Sequence, residues 1–166
     1  MSEYTQAYMC DVVKKFLDGG YDGNKWRYFQ DETLFSGGLG GLKGKVSELK
    51  FVITVGSNTV SCYHILPFKA EESQRMAVAE YITRANYNLN VGNFEMDFSD
   101  GELRYKTTLS KNDLLGNDKA ALDSMKFMIT LGSMMWMRYG DNLASLLFGA
   151  TADKSVSELV EEAEEQ

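Results

Sequence analysis

The 166 residues include one proline, one histidine and two cysteines. Each scarcity removes a class of protein. A single proline excludes a collagen, a mucin-like stalk and a proline-rich linker. Cys10 and Cys62 are too few and too far apart for a disulfide scaffold. Residues 1–6 are polar and no apolar signal segment follows, so the expectation is a cytoplasmic protein with two reduced thiols. Long apolar runs are absent. The strongest, at 127–137, sits between Lys126 and Arg138 and falls short of the ~20 residues needed to span a bilayer.

Positive charge is also scarce. Lys plus Arg number 17 against 24 Asp plus Glu, a net charge of −7. Residues 153–166 hold six acids and one base, so they carry −5. That leaves 16 basic and 18 acidic residues elsewhere, a net −2 with no basic stripe. The pattern points away from nucleic acid and from anionic membrane. What is present is an ordinary globular balance, 44% hydrophobic and 25% charged. The length suits one domain, assigned to 1–150, followed by an acidic tail at 151–166.

Hydrophobic period and turn chemistry divide the chain. Residues 2–17 read as a helix capped by Ser2, broad enough on its apolar side to dock on a sheet. A short strand follows at 25–30, with Trp26 and Tyr28 on one side and Phe29 on the other. The glycine-loaded stretch 31–44 reads as a connection, with room for part of a strand. Residues 49–55 and 59–66 alternate around Gly56-Ser57-Asn58 as a hairpin, the second strand central in its sheet. Glu71 opens a helix whose Val78, Tyr81, Ile82 and Ala85 form one stripe. Asp100-Gly101 between two alternating runs signals another hairpin, pairing Glu95 with Lys106, Met96 with Tyr105 and Asp97 with Arg104. One side of that hairpin faces water.

Asn117 or Asp118 caps a long helix at 119–139, stopped by Gly140. Ala121, Leu122, Met125, Met128, Ile129, Gly132, Trp136 and Tyr139 share its inner side. Ser155 and Glu158 match a capping box, so a short acidic helix follows, with a solvated glutamate-rich end. The expected class is α+β, an antiparallel sheet with helices in the order α-β-β-β-α-β-β-α.

Few residues form a pattern that chemistry requires. His64 has no second histidine, no Gly-x-Ser-x-Gly elbow and no zinc-ligand spacing around it, so it reads as a hydrogen-bonded strand residue. Ser36 to Lys45 imitates a phosphate loop, but Leu39 stands where the first glycine belongs and Val46 replaces the Ser or Thr. Glu95, Asp97, Asp100 and Glu102 gather at the second hairpin and are candidates for acid–base work or a divalent cation. Arg104 and Lys106 lie opposite two of them, and surface pairing accounts for the set.

Five of nine methionines fall between Met125 and Met137. Methionine packs adaptably against varied surfaces. The outer side of the long helix carries Phe127, Leu131, Met134 and Met137, which an isolated domain has no reason to expose. These four are the candidate residues for a dimer interface or a partner groove.

Several segments between Leu49 and Leu109 carry a resemblance: Tyr63-His64-Ile65-Leu66-Pro67, Tyr81-Ile82-Thr83-Arg84-Ala85-Asn86-Tyr87, Gly92-Asn93-Phe94-Glu95-Met96-Asp97 and Asp100-Gly101-Glu102-Leu103-Arg104-Tyr105-Lys106. Together they resemble the bacterial YbjN family, described as regulators of sensory transduction. The resemblance implies a fold like the type III secretion chaperones, and a small bacterial cytosolic dimer acting by binding. It carries over no catalytic residue. Asn86 and Asn93 read as fold-specifying positions, Asn86 capping its helix and Asn93 holding the start of the next strand. The expectation is a non-enzymatic, chaperone-like protein-binding or regulatory module, homodimeric, with no cofactor and no metal. The alternative is a small ligand- or divalent-cation-binding domain, or a weak enzyme, built on the carboxylates of the 95–102 hairpin.

Overall fold

Thr5 starts the first helix. Its backbone is extended and its hydroxyl accepts the Tyr8 amide at 3.3 Å, capping α1 (Gln6–Lys15). The computed structural model describes residues 5–151 and 153–165, so the predicted cap, Ser2, lies outside the described residues. A π-turn at Phe16–Gly20 ends α1, with Gly19 at φ 94.

Six strands follow: β1 (Tyr28–Asp31), β2 (Leu34–Gly40), β3 (Glu48–Val55), β4 (Thr59–Ile65), β5 (Asn93–Met96) and β6 (Leu103–Ser110). They form one antiparallel sheet in the order β1-β2-β3-β4-β6-β5. The helices are α1, α2 (Arg75–Tyr87) between β4 and β5, α3 (Asp118–Leu147) and α4 (Val156–Glu164). The α+β class is as expected, with one strand more than the predicted order and a terminal helix.

The added strand is β2, inside the glycine-loaded stretch. Gly37 faces the core, where a Cβ would come within 2.6 Å of the Arg27 carbonyl and the Phe51 ring. Glycine there lets Trp26 and Phe51 meet edge-on, with centroids 5.6 Å apart. The segment reads as a loop because the side chain that would show its period is missing.

Alternate residues of the central strands point to one side. Phe51, Ile53, Val60, Cys62, His64, Leu103, Tyr105 and Thr107 are buried there under the helices. On the other side Lys50 is exposed, and Val52, Tyr63, Arg104 and Lys106 are half-buried. The covered side holds two apolar clusters. The first joins α1 to β2, β3 and the N-terminal half of α3, around Met9, Phe51, Ile53 and Met125. The second joins α2, α4, β5 and β6 to the C-terminal half of α3, around Tyr81, Phe94, Leu103 and Trp136.

The first strand begins at Tyr28 rather than at 25 and runs to Asp31, and three larger features also differ from the sequence reading. The second hairpin pairs Glu95 with Arg104 and Met96 with Leu103, two residues from the expected register. Its turn is wider than Asp100-Gly101 alone. The Asp97 carboxylate accepts the Ser99 amide at 2.8 Å, Asp100 accepts the Glu102 amide at 2.9 Å, and the Asp97 amide donates to the Glu102 carbonyl at 2.9 Å. A two-residue slip keeps each side chain on its side, so the apolar and charged sides are as predicted.

Gly140 does not stop α3, which runs on to Leu147. A Cβ at Gly140 would lie 2.8 Å from Val46 Cγ2, so the glycine admits a neighbour rather than ending the helix. Finally, the Ser155–Glu158 capping box forms as predicted, but α4 is not merely solvated: Leu159, Val160 and Ala163 are buried in the second cluster.

Candidate functional site

Asn117 caps α3, its side chain accepting the Ala120 amide at 2.9 Å. All eight residues assigned to the inner side of this helix are buried. On the outer side, Phe127 is 52% exposed, Met134 50% and Met137 38%. Leu131 is half-buried and packs against the second cluster. Three of the four candidates thus form an open apolar stripe, with Leu131 at its inner margin. Polar groups bound it. Lys126 lies 5.7 Å from the Tyr21 ring centroid, and Arg138 donates to the Ala163 and Glu164 carbonyls at 3.1 and 2.6 Å.

The hairpin carboxylates are each engaged. Glu95 accepts from Arg104 at 2.7 Å and lies 3.8 Å from Lys106. Glu102 lies 3.9 Å from Arg104. Asp97 holds Ser99, and Asp100 accepts from Lys69 and the Glu102 amide. Burial pushes the Glu95 carboxyl up, but hydrogen bonds from Arg104 and Asn93 outweigh it and hold it below the usual carboxylate range. Asp97 is held low by Ser99, and Asp100 by Lys69 and the Glu102 amide. A general acid needs the opposite shift. Among the described residues no three His, Cys, Asp or Glu side chains converge on one point.

His64 is fully buried between the two clusters, under Gly132 of α3. A Cβ at Gly132 would overlap its imidazole. Burial lowers the His64 pKa to about 4, against a smaller opposing effect of a hydrogen bond at the Ile129 backbone. Among the described residues its Nε2 finds no partner, and Cys62 Sγ lies 3.7 Å from Nδ1. Burial also pushes the Cys62 thiol up. A neutral imidazole beside a neutral thiol is not an activated nucleophile. The predicted satisfied histidine is therefore only half satisfied.

Asn86 acts through the strand rather than its helix end. Its side-chain amide accepts the Phe94 N–H at 2.7 Å and donates to the Phe94 carbonyl at 2.9 Å. That pair of hydrogen bonds closes part of the free edge of β5. Asn93 donates to Glu95 at 3.2 Å. A groove between α2 and α4, lined by Thr83, Arg84, Tyr87, Val160, Glu161 and Glu164, escaped the sequence reading because its walls are distant in the chain. No described helix is long and apolar enough to cross a membrane.

No family model and no curated protein matches the sequence. A solved structure does match in fold: the "Crystal structure of YbjN, a putative transcription regulator from E. coli". The two share 14% sequence identity at a TM-score of 0.52, over 86% of this chain and 90% of that one. The six-stranded sheet with its helices is thus a YbjN-like fold.

Proposed function

We propose that this protein is a non-enzymatic binding module that self-associates, or captures a client polypeptide in the manner of a chaperone, through the outer stripe of α3. One observation carries the reading: Phe127, Met134 and Met137 stay open to solvent on a helix whose other side is fully packed. Flexible thioethers flanking a phenyl ring fit an adaptable protein surface. Low-pKa hairpin carboxylates and a neutral Cys62–His64 pair support a role without catalysis. On this reading the protein works in a reducing cytoplasm, where Cys10 and Cys62 remain free. The sensory-regulation role attached to the resembling family is compatible with such a module.

Light scattering at tens of micromolar tests it. A homodimer has twice the 18.7 kDa chain mass. Changing Phe127 and Met134 together to Ser is expected to shift the dimer to monomer, or to abolish client protection from aggregation, with an unchanged melting temperature. A monomer that protects no client, or a dimer indifferent to the double change, refutes the reading.

A further inference from the structure

A second open stripe runs along α2, on the opposite side of that helix from its buried Val78, Tyr81, Ile82 and Ala85. Met76, Ala79, Thr83 and Tyr87 recur there at helical spacing. Met76 is 74% exposed and Tyr87 is 89% exposed. Beside it lies α4, anchored by Leu159, Val160 and Ala163 and tied by Asn88, which donates to both Glu164 oxygens at 2.9 and 3.1 Å. Between the helices is the groove of about 450 Å³, with Val160 and Tyr87 supplying apolar wall. A second depression shares Thr83 and Arg84 with it and leads on to Met76.

Charge selects the occupant. Glu80, Glu161 and Glu164 line these depressions, and Arg84, the one cation among the lining residues, is held by Glu80 at 2.8 Å. The surround is thus net negative, on the side of the molecule where the acidic α4 lies. Anionic ligands are repelled, and so is the same face of a second copy. The groove is open along its length and continues into a second depression, a shape for an extended ligand rather than an enclosed small molecule.

We propose that the α2–α4 groove docks a cationic amphipathic peptide segment of a partner protein. Its apolar side chains lie against Tyr87, Val160 and Met76, and its Lys or Arg residues face Glu80, Glu161 and Glu164. Exposed ion pairs add little affinity singly, so burial of Tyr87 and Met76 supplies the hold while the carboxylates set partner choice and speed of encounter. This site is separate from the α3 stripe and stands or falls without it.

The test is selection of displayed random peptides, about a dozen residues long, on the full chain, followed by amide chemical-shift mapping with the best binder. Enriched peptides are expected to be net positive with periodic apolar residues, and to shift Thr83, Tyr87, Ser157 and Val160. Tyr87→Ser and Glu161→Lys each change an exposed side chain with an unchanged melt; Tyr87→Ser is expected to weaken binding about tenfold, and Glu161→Lys about threefold with a slower association. Selection without cationic enrichment, or shifts confined to other surfaces, overturns the proposal. So does loss with Glu161→Lys but not Tyr87→Ser, which marks unspecific attraction.

Discussion

The two apolar clusters are built on different physics. The first is filled mostly by Met9, Val13, Leu17, Ile53, Met125 and Met128, whose interactions have no preferred direction, with the edge-on Trp26–Phe51 pair at its sheet side. The second turns on aromatic groups with polar tips. Phe94 meets Tyr105 and Trp136 edge-on, with centroids 4.9 Å away in each pair, and Tyr139 at 5.5 Å. Tyr81 donates to the Tyr139 carbonyl at 2.8 Å, Trp136 to the His64 carbonyl at 2.8 Å, and Tyr105 to the Val91 carbonyl. The first cluster is specified mainly by volume, and the second far more by direction. One helix, α3, serves both, and His64 with Gly132 marks where they meet.

The largest test strikes that meeting point. Gly132→Ala would gain about 1 kcal/mol in an open helix, because alanine is the better helix former. Here its methyl overlaps the His64 ring, and the expectation is a loss of about 3–4 kcal/mol in urea denaturation. Adding His64→Ala makes room, so the double variant is expected to cost less than the two changes summed. A neutral Gly132→Ala would mean that α3 does not lock the clusters together here.

Next comes pH. The folded His64 pKa is lowered to about 4 from an unfolded value of 6.5. The unfolded chain therefore binds the proton first on acidification. Stability from this group is complete above pH 6.5 and is lost as pH falls toward 4, roughly 3 kcal/mol in all. His64→Gln is expected to flatten that part of the stability–pH curve. The usual carboxylate losses at lower pH would remain, since Asp97 and Asp100 are held low by their turn hydrogen bonds.

Two near-isosteric changes test the clusters directly. Tyr81→Phe removes only a hydroxyl and its bond to the Tyr139 carbonyl, which stays within the hydrogen-bonded turns of α3, at an expected cost of about 1 kcal/mol. Met128→Leu in the first cluster keeps volume and polarity, with an expected cost below about 1 kcal/mol. Equal costs in thermal melts would erase the distinction between volume and direction.

Much of this was legible from period alone. The inner side of α3, the stripe of α2 and the alternation of β3 each follow from which side chains avoid water. The misses share a cause: signals with two physical meanings. Glycine at 140 marks a helix stop or a close approach, and only Val46, far away in the chain, decides. A period of two cannot tell the β5–β6 register from one two residues away, so Asp97 and Asp100 decide it through the turn. Of the α3 stripe, Phe127, Met134 and Met137 could be read as outer residues, whereas Leu131 proved half-covered by α3's own cluster. The α2–α4 groove was not legible at all, since nothing local in Tyr87 announces a neighbour at Glu161.

The smallest effect lies outside both clusters, in the turn between β1 and β2. Asp31 pairs with Leu34, leaving Glu32 and Thr33 to reverse the chain. Glu32 sits at φ 48, left-handed space that a longer side chain occupies at some cost and asparagine tolerates better. Its neighbourhood is exposed, so no packing compensates. Glu32→Asn is expected to raise stability by about 0.5 kcal/mol, visible as a small upward shift in the melt. The same change at a strand position would do the reverse, because asparagine is a poor strand former. A gain confined to Glu32 would show that strain in this fold resides in its edge hairpin, where neither cluster can enforce or relieve it.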